Sequence, residues 1–435
     1  MSVPRYHVAA GGALRGTIRI PGDKSVSHRS LLLGGIAEGT TEVEGFLESE
    51  DCLATLHAMR AMGVTVGRPG PGQVVIDGVG LGGLKPPTDA LDMGNAGTAM
   101  RLAMGLLAGQ RFATTLIGDA SLTRRPMERA ATPLRLMGAR IATTDGRPPV
   151  RISGGERLTG IDYDLVVPSA QVKSAMLLAT LYASGTTRLT EHAVTRDHTE
   201  RMLRAFGATV GTADGVVTLA GGQRLRGTRL RVPGDISSAA FFIVAATLAA
   251  EGAFLIEDVG VNPTRTGVLE ILRLMGADIR IRNERRFGDE PVADLEVHAR
   301  ELTGIEVPAH LVPLAIDEFP VLFVAAAAAR GTTTVSGAAE LRVKESDRIQ
   351  VMATGLHALG IEATPRPDGL TVLGGRIRGG TVESHGDHRV AMAFAVAALK
   401  AHGPVEIRDV ANVATSFPGF PALARSSGIA IEEFR

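Results

Sequence analysis

The chain has 435 residues, 45% of them hydrophobic, with 46 Lys and Arg balanced by 46 Asp and Glu. Zero formal charge argues against a dedicated nucleic-acid binder, and 4% aromatic residues with no Trp remove the usual stacking platforms, so the expected partners are small molecules. A single cysteine, Cys52, excludes an internal disulfide framework and a cysteine-based zinc cluster, and the 11 His form no HExxH pair that would support a metal site.

The N-terminal MSVPRYH has no signal-peptide core, and the longest apolar run, residues 239–250, falls short of the roughly 20 residues a bilayer span takes. A cytoplasmic location is expected. From there the chain repeats itself. Short polar loops at residues 21–25 (PGDKS), 94–98 (GNAGT), 168–172 (PSAQV), 233–237 (PGDIS), 316–320 (IDEFP) and 386–390 (GDHRV) each open onto a helix rich in Ala, Leu, Val and Met. The spacing is roughly 70 residues, a long-period internal repeat.

Most copies continue with a β-rich run, as in residues 38–43 (EGTTEV), 184–189 (SGTTRL) and 330–335 (RGTTTV). An amphipathic helix then closes on a recurring phrase: RAMGV at 60–64, RLMGA at 135–139, RAFGA at 204–208 and RLMGA at 273–277. Its Gly sits where a helix end needs a left-handed residue, and alternating strand residues follow. Each unit reads as strand, helix, strand, helix, strand. The nearly identical phrases at 19–25 and 231–237 divide the chain into a discontinuous domain, residues 1–20 plus 234–435, and a second domain, 21–233. Each holds three repeats, with hinge crossings near 20–21 and 233–234.

Helix starts expose unpaired NH groups and a positive dipole end, which attract anions. Each is worth only about 0.3 to 1 kcal/mol when exposed, against roughly 1.5 to 3 for a hydrogen bond to a charged group, so Lys and Arg must carry most of the affinity. Lys24 and Arg29, about one turn apart, are both placed to face a phosphate. Asp235, Ser237 and Ser238 read instead as helix caps, because Ile236 stands where the first repeat has Lys24. Residues 340–348 (ELRVKESDR) alternate charge before an amphipathic helix over 349–359, with Ser346 or Asp347 as its cap. Carboxylates able to move protons beside an Arg and Lys set point to group transfer between anionic substrates.

PGDKSxSHR at 21–29, GNAGTAMR at 94–101, RPM at 125–127, SAQVKS at 169–174, RVKESDR at 342–348 and DHR at 387–389 together resemble the 5-enolpyruvylshikimate-3-phosphate synthase family over nearly the full length. Thr415, where one branch of that family has Lys, makes the likeness closer to the second branch. The resemblance implies an α/β fold of two similar domains, each of three βαβαββ units, closing over an interdomain cleft. It implies transfer of the enolpyruvyl group of phosphoenolpyruvate to the 5-hydroxyl of shikimate 3-phosphate, by a monomer without metal or organic cofactor. It also places shikimate 3-phosphate on Ser25, Arg29, Ser169, Ala170, Gln171, Arg196, Asp317 and Lys344, and phosphoenolpyruvate on Gly97, Arg125, Gln171, Arg348 and Arg389. Lys24 serves both, and Asn95 positions its loop. Asp317 is the implied base for the hydroxyl and Glu345 the implied proton handler at the methylene carbon, with Lys344 and His388 as helpers.

Two other readings compete. The sister transferase acting on UDP-N-acetylglucosamine usually depends on a loop cysteine, whereas the corresponding residues 118–126 have none and Cys52 lies in an apparent helix. A non-catalytic anion-binding repeat protein would not need Asp317 and Glu345 beside anionic ligands, where their charge only weakens binding.

Overall fold

The computed structural model describes residues 4–434. They divide by contact into two units. The inserted unit is Gly22–Val232 together with Arg286–Glu290; the terminal unit takes the described residues up to Pro21, then Pro233–Arg285 and those from Pro291 onward.

The inserted unit carries helices α1 (Lys24–Ile36), α2 (Glu50–Ala61), α3 (Gly97–Ala108), α4 (Glu128–Leu136), α5 (Ala170–Thr180) and α6 (His198–Ala205). The terminal unit carries α7 (Ile236–Ala249), α8 (Gly267–Leu274), α9 (Phe319–Ala328), α10 (Arg348–Ala358), α11 (His388–Ala397) and α12 (Phe420–Ser427). Odd-numbered helices are buried on nearly every side and form the middle of each core, while even-numbered ones keep one polar face. A helix apolar all round has no face to offer water, so its place is the interior. Close crossing follows from small residues: a Cβ on Gly105 of α3 would lie 1.9 Å from the Ala175 carbonyl oxygen of α5.

Each repeat contributes a small sheet built on one plan. In the second repeat, Leu91–Asp92 pairs in parallel with Thr114–Ile117 across α3, and Arg147–Ile152 then pairs antiparallel with both Thr114–Ile117 and Ile141–Thr144. The first repeat borrows its parallel strand from the end of the unit, Arg229–Arg231 beside Glu38–Glu44, which closes the three repeats on themselves. In the fifth repeat the parallel partner shrinks to isolated bridges, Thr303 with Arg330 and Glu306 with Thr334.

The arginine that opens each recurring phrase has a structural role. Arg135 Nε donates to the Ile141 carbonyl at 2.8 Å, Arg204 Nε to Val210 at 3.2 Å and Arg273 Nε to Ile279 at 3.3 Å, tying each helix end to the next strand. The glycine of each phrase stands at positive φ just past its helix, the left-handed cap expected from its position.

Candidate active site

In the inserted unit, Asp23 caps α1 by accepting from the Val26 amide at 2.8 Å, which leaves Lys24 as the first helical residue. Its Nζ pairs with Asp51 Oδ2 of α2 at 2.9 Å while 16% of its side chain stays exposed, so it is both placed and reachable. Arg29 does not stand at the surface beside it. Only 3% exposed, Arg29 donates to the Ser25 carbonyl (2.9 Å), Thr199 Oγ1 (2.7 Å) and Ser174 Oγ (2.8 Å). Burial pushes its guanidinium down to about 10. The adjacent His28, buried with Nδ1 at 2.8 Å from Thr55 Oγ1, is pushed down to about 3 by burial and then by the charges of Lys24 and Arg29.

The α3 loop forms a second group. Arg125 donates to the Asn95 carbonyl at 3.2 Å, to the Asn95 side-chain oxygen and to Ser121 Oγ at 3.1 Å, while Asn95 Nδ2 donates to Asp119 at 2.7 Å. Gly97 lies between two guanidiniums: a Cβ there would meet Arg125 NH1 at 3.1 Å and Arg101 NH1 at 3.2 Å. Arg101 also donates to Gln171 Oε1 at 2.6 Å, and Gln171 Nε2 to Thr98 Oγ1 at 2.9 Å, so the α3 and α5 starts are locked together. Ser169 caps α5, its Oγ accepting from Val172 at 3.4 Å, with Ala170 opening the helix and Arg196 on the loop before α6.

The terminal unit brings together Asp317, Lys344, Glu345, Arg348 and Asp387. Arg348, wholly buried, donates to Asp387 at 2.8 Å, Glu345 at 2.6 Å and Asp317 at 3.4 Å. Burial alone would lower its pKa, but the Asp387, Glu345 and Asp317 carboxylates outweigh that and hold it above its ordinary value. Lys344 Nζ lies 3.5 Å from the same Asp317 oxygen. Asp347 is the cap of α10, accepting from Gln350 at 3.1 Å. Asp387 caps α11 by accepting from the Arg389 amide at 3.0 Å, and His388 follows it, 3% exposed. The Arg389 guanidinium, on a residue 8% exposed, makes no hydrogen bond or ion pair among the described residues. Thr415 is buried and donates to the Asn412 carbonyl at 2.7 Å, while Asn412 Nδ2 donates to the Gly386 carbonyl at 2.7 Å.

Asp235 is the cap expected of it, accepting from the Ser237 amide at 2.8 Å. The cation missing from its own loop comes from elsewhere, since Arg265 NH2 lies 3.0 Å from Asp235 and 2.8 Å from Ser237 Oγ. Asp51, Arg101 and Asp387 support these groups, and no local sequence pattern marks that role, because their partners lie on other elements. Cys52 is fully buried in α2, and burial raises its thiol above the ordinary range, which suits packing rather than nucleophilic work.

A family model described as EPSP synthase (3-phosphoshikimate 1-carboxyvinyltransferase) matches residues 8–423. The chain is 61% identical over 428 residues to the 3-phosphoshikimate 1-carboxyvinyltransferase of Methylococcus capsulatus, covering 98% of each, and 59% identical over 428 residues to that of Alkalilimnicola ehrlichii, covering 98% of this chain and 96% of the relative. A solved EPSP synthase from Acinetobacter baumannii superposes with a TM-score of 0.89 at 55% identity, covering 99% of this chain and 100% of that one. The enolpyruvyl transferase NikO from Streptomyces tendae shares the fold at 19% identity, with a TM-score of 0.81 over 100% of this chain and 99% of that one. The architecture is thus that of an enolpyruvyl transferase. Within that class the chain belongs to the EPSP synthase family and is a 3-phosphoshikimate 1-carboxyvinyltransferase.

Proposed function

We propose that the charged helix starts divide the reaction between them. Ser25, Arg29, Ser169, Ala170, Gln171 and Arg196 of the inserted unit, with Asp317 and Lys344, bind shikimate 3-phosphate. Arg125, Arg348 and Arg389, with Gly97 and Gln171, bind phosphoenolpyruvate, and Lys24 serves both. The observation that carries this assignment is the terminal cluster. Two partly accessible carboxylates, Asp317 and Glu345, lean on the buried guanidinium of Arg348, and Asp387 ties that guanidinium to the backbone of Arg389, whose side chain makes no ion pair among the described residues. Such a group can receive an anion and move protons at once.

Asp317 takes the proton of the 5-hydroxyl as its oxygen forms a bond to C2 of phosphoenolpyruvate. Glu345 delivers a proton to C3, so the methylene becomes a methyl and C2 becomes tetrahedral. Glu345 then removes a methyl proton, the double bond reforms and the C2–O bond to phosphate breaks, releasing inorganic phosphate. The step belongs to the shikimate route to aromatic amino acids. A cytoplasmic monomer that needs no metal or organic cofactor is the form in which we propose it works.

The fate of hydrogen at C3 tests the path. In D2O with both substrates, a transient methyl group places deuterium in the product methylene. Product formed without any deuterium would sink addition and elimination through Glu345.

A further inference from the structure

The SAQVKS segment contains a lysine that the reaction scheme does not use. Lys173 lies on α5 two residues after Gln171 and is wholly buried. Its ammonium stands 2.9 Å from Glu191 Oε2 and 2.7 Å from Glu200 Oε1. Burial raises the pKa of Glu200, and the Lys173 charge opposes that rise. A lone buried lysine would be costly; one flanked by two carboxylates is held in place and holds them in turn.

What it holds is the loop that ends in Arg196. Glu191 closes the strand Thr186–Glu191, and its second oxygen accepts from Thr195 Oγ1 at 2.5 Å, so Lys173, Glu191 and Thr195 form a chain reaching the residue before Arg196. Glu200 stands in the first turn of α6, four residues after Arg196 on the preceding loop. The flanking residues bind the same elements to α1. Arg29 donates to both Ser174 and Thr199, and Thr199 Oγ1 donates to Ser174 Oγ at 2.7 Å. The positive charge of Arg196 is close enough to lower the pKa of Arg29.

We infer that Lys173 is a positioning residue for shikimate 3-phosphate: it fixes the Arg196 loop against the start of α5 so that Arg196, Ser169 and Gln171 meet the acceptor together. The inference rests on the functional reading above, which places those three residues on the acceptor. It does not make Lys173 a ligand, because no part of its side chain is open to solvent.

The test separates positioning from simple burial of charge. Lys173→Met alone strands two carboxylates and is expected to lower stability. The double variant Lys173→Met with Glu200→Gln removes the most buried of them and recovers most of that loss, yet leaves Glu191 without its anchor. Its KM for shikimate 3-phosphate is expected to rise about tenfold or more, with KM for phosphoenolpyruvate and kcat within about threefold of the parent. Thr195→Val cuts only the last link and should shift the same constant in the same direction, which keeps the inference open to refutation if the double variant fails to fold. A parent-like KM for shikimate 3-phosphate in either folded variant, or an equal loss in kcat and both KM values, would overturn it. An inactive parent chain would overturn the functional reading and this inference with it, whereas an active parent with unshifted variants overturns the inference alone.

Discussion

Arg348 and Asp387 form an ion pair from which water is fully excluded, Nε donating to Oδ2 at 2.8 Å, while Oδ1 of the same carboxylate caps α11 through the Arg389 amide at 3.0 Å. One carboxylate thereby fixes two arginines, one through its side chain and one through its backbone. Breaking a buried pair from one side leaves a charge with no water to solvate it. Arg348→Met is expected to cost about 3 to 5 kcal/mol of folding free energy in denaturant titration. A loss below about 1 kcal/mol would mean that Asp387 is solvated or satisfied without it.

Asp317 and Glu345 contact Arg348 at 3.4 and 2.6 Å, so amide replacements keep their shape and remove their basicity. Asp317→Asn or Glu345→Gln should lower kcat by about 10² to 10⁴ while changing the dissociation constant of shikimate 3-phosphate by no more than about threefold. Steady-state rates with calorimetric binding check this. Near-parent turnover in either variant removes that residue from proton transfer.

Gly97, at the α3 start, lies beside the guanidiniums of both Arg101 and Arg125. A methyl group there meets their NH1 atoms at 3.2 and 3.1 Å, and both guanidiniums are already committed, Arg101 to Gln171 and Arg125 to Asn95. Gly97→Ala should displace them by a few tenths of an ångström and raise KM for phosphoenolpyruvate about tenfold, with KM for shikimate 3-phosphate less affected. Equal rises in both constants would assign the glycine to general packing.

His28 gives the fold an acid-side sensitivity. Its pKa is about 3 in the folded chain and about 6.5 when unfolded, so between those values the unfolded state binds the extra proton. The contribution is therefore fully present above pH 6.5 and lost as pH falls toward 3. Between pH 7 and pH 5 the loss amounts to about 2 kcal/mol. His28→Gln, which can still bond Thr55, should flatten that part of the stability profile. An unchanged slope would show that His28 is not the group responsible.

Local chemistry explains what could be read from sequence. The six helix starts, the cap Asp235 and the left-handed glycines of the four recurring phrases depend on a few adjacent residues, and the structure has them where the pattern puts them, while of Ser346 and Asp347 it is Asp347 that caps α10. The ion pairs were not legible, because Lys24 with Asp51, Lys173 with Glu200 and Arg348 with Asp387 join residues on different helices that only the packed core brings together. The same holds for Arg229–Arg231 completing the first sheet beside Glu38–Glu44, a pairing between opposite ends of the unit. Arg29 shows the limit of helical spacing. Five residues past Lys24 is about 1.4 turns, which aims Arg29 at a different face of α1, where Ser174 and Thr199 hold it at depth.

Inorganic phosphate release from phosphoenolpyruvate, with shikimate 3-phosphate or UDP-N-acetylglucosamine as acceptor and each component omitted in turn, separates transfer to one acceptor from transfer to the other and from binding without chemistry. Release that requires phosphoenolpyruvate and shikimate 3-phosphate together, and that Asp317→Asn slows by at least about a hundredfold, is the expected result. Release with the nucleotide sugar alone, or none from folded protein that binds both shikimate-route ligands, would contradict it.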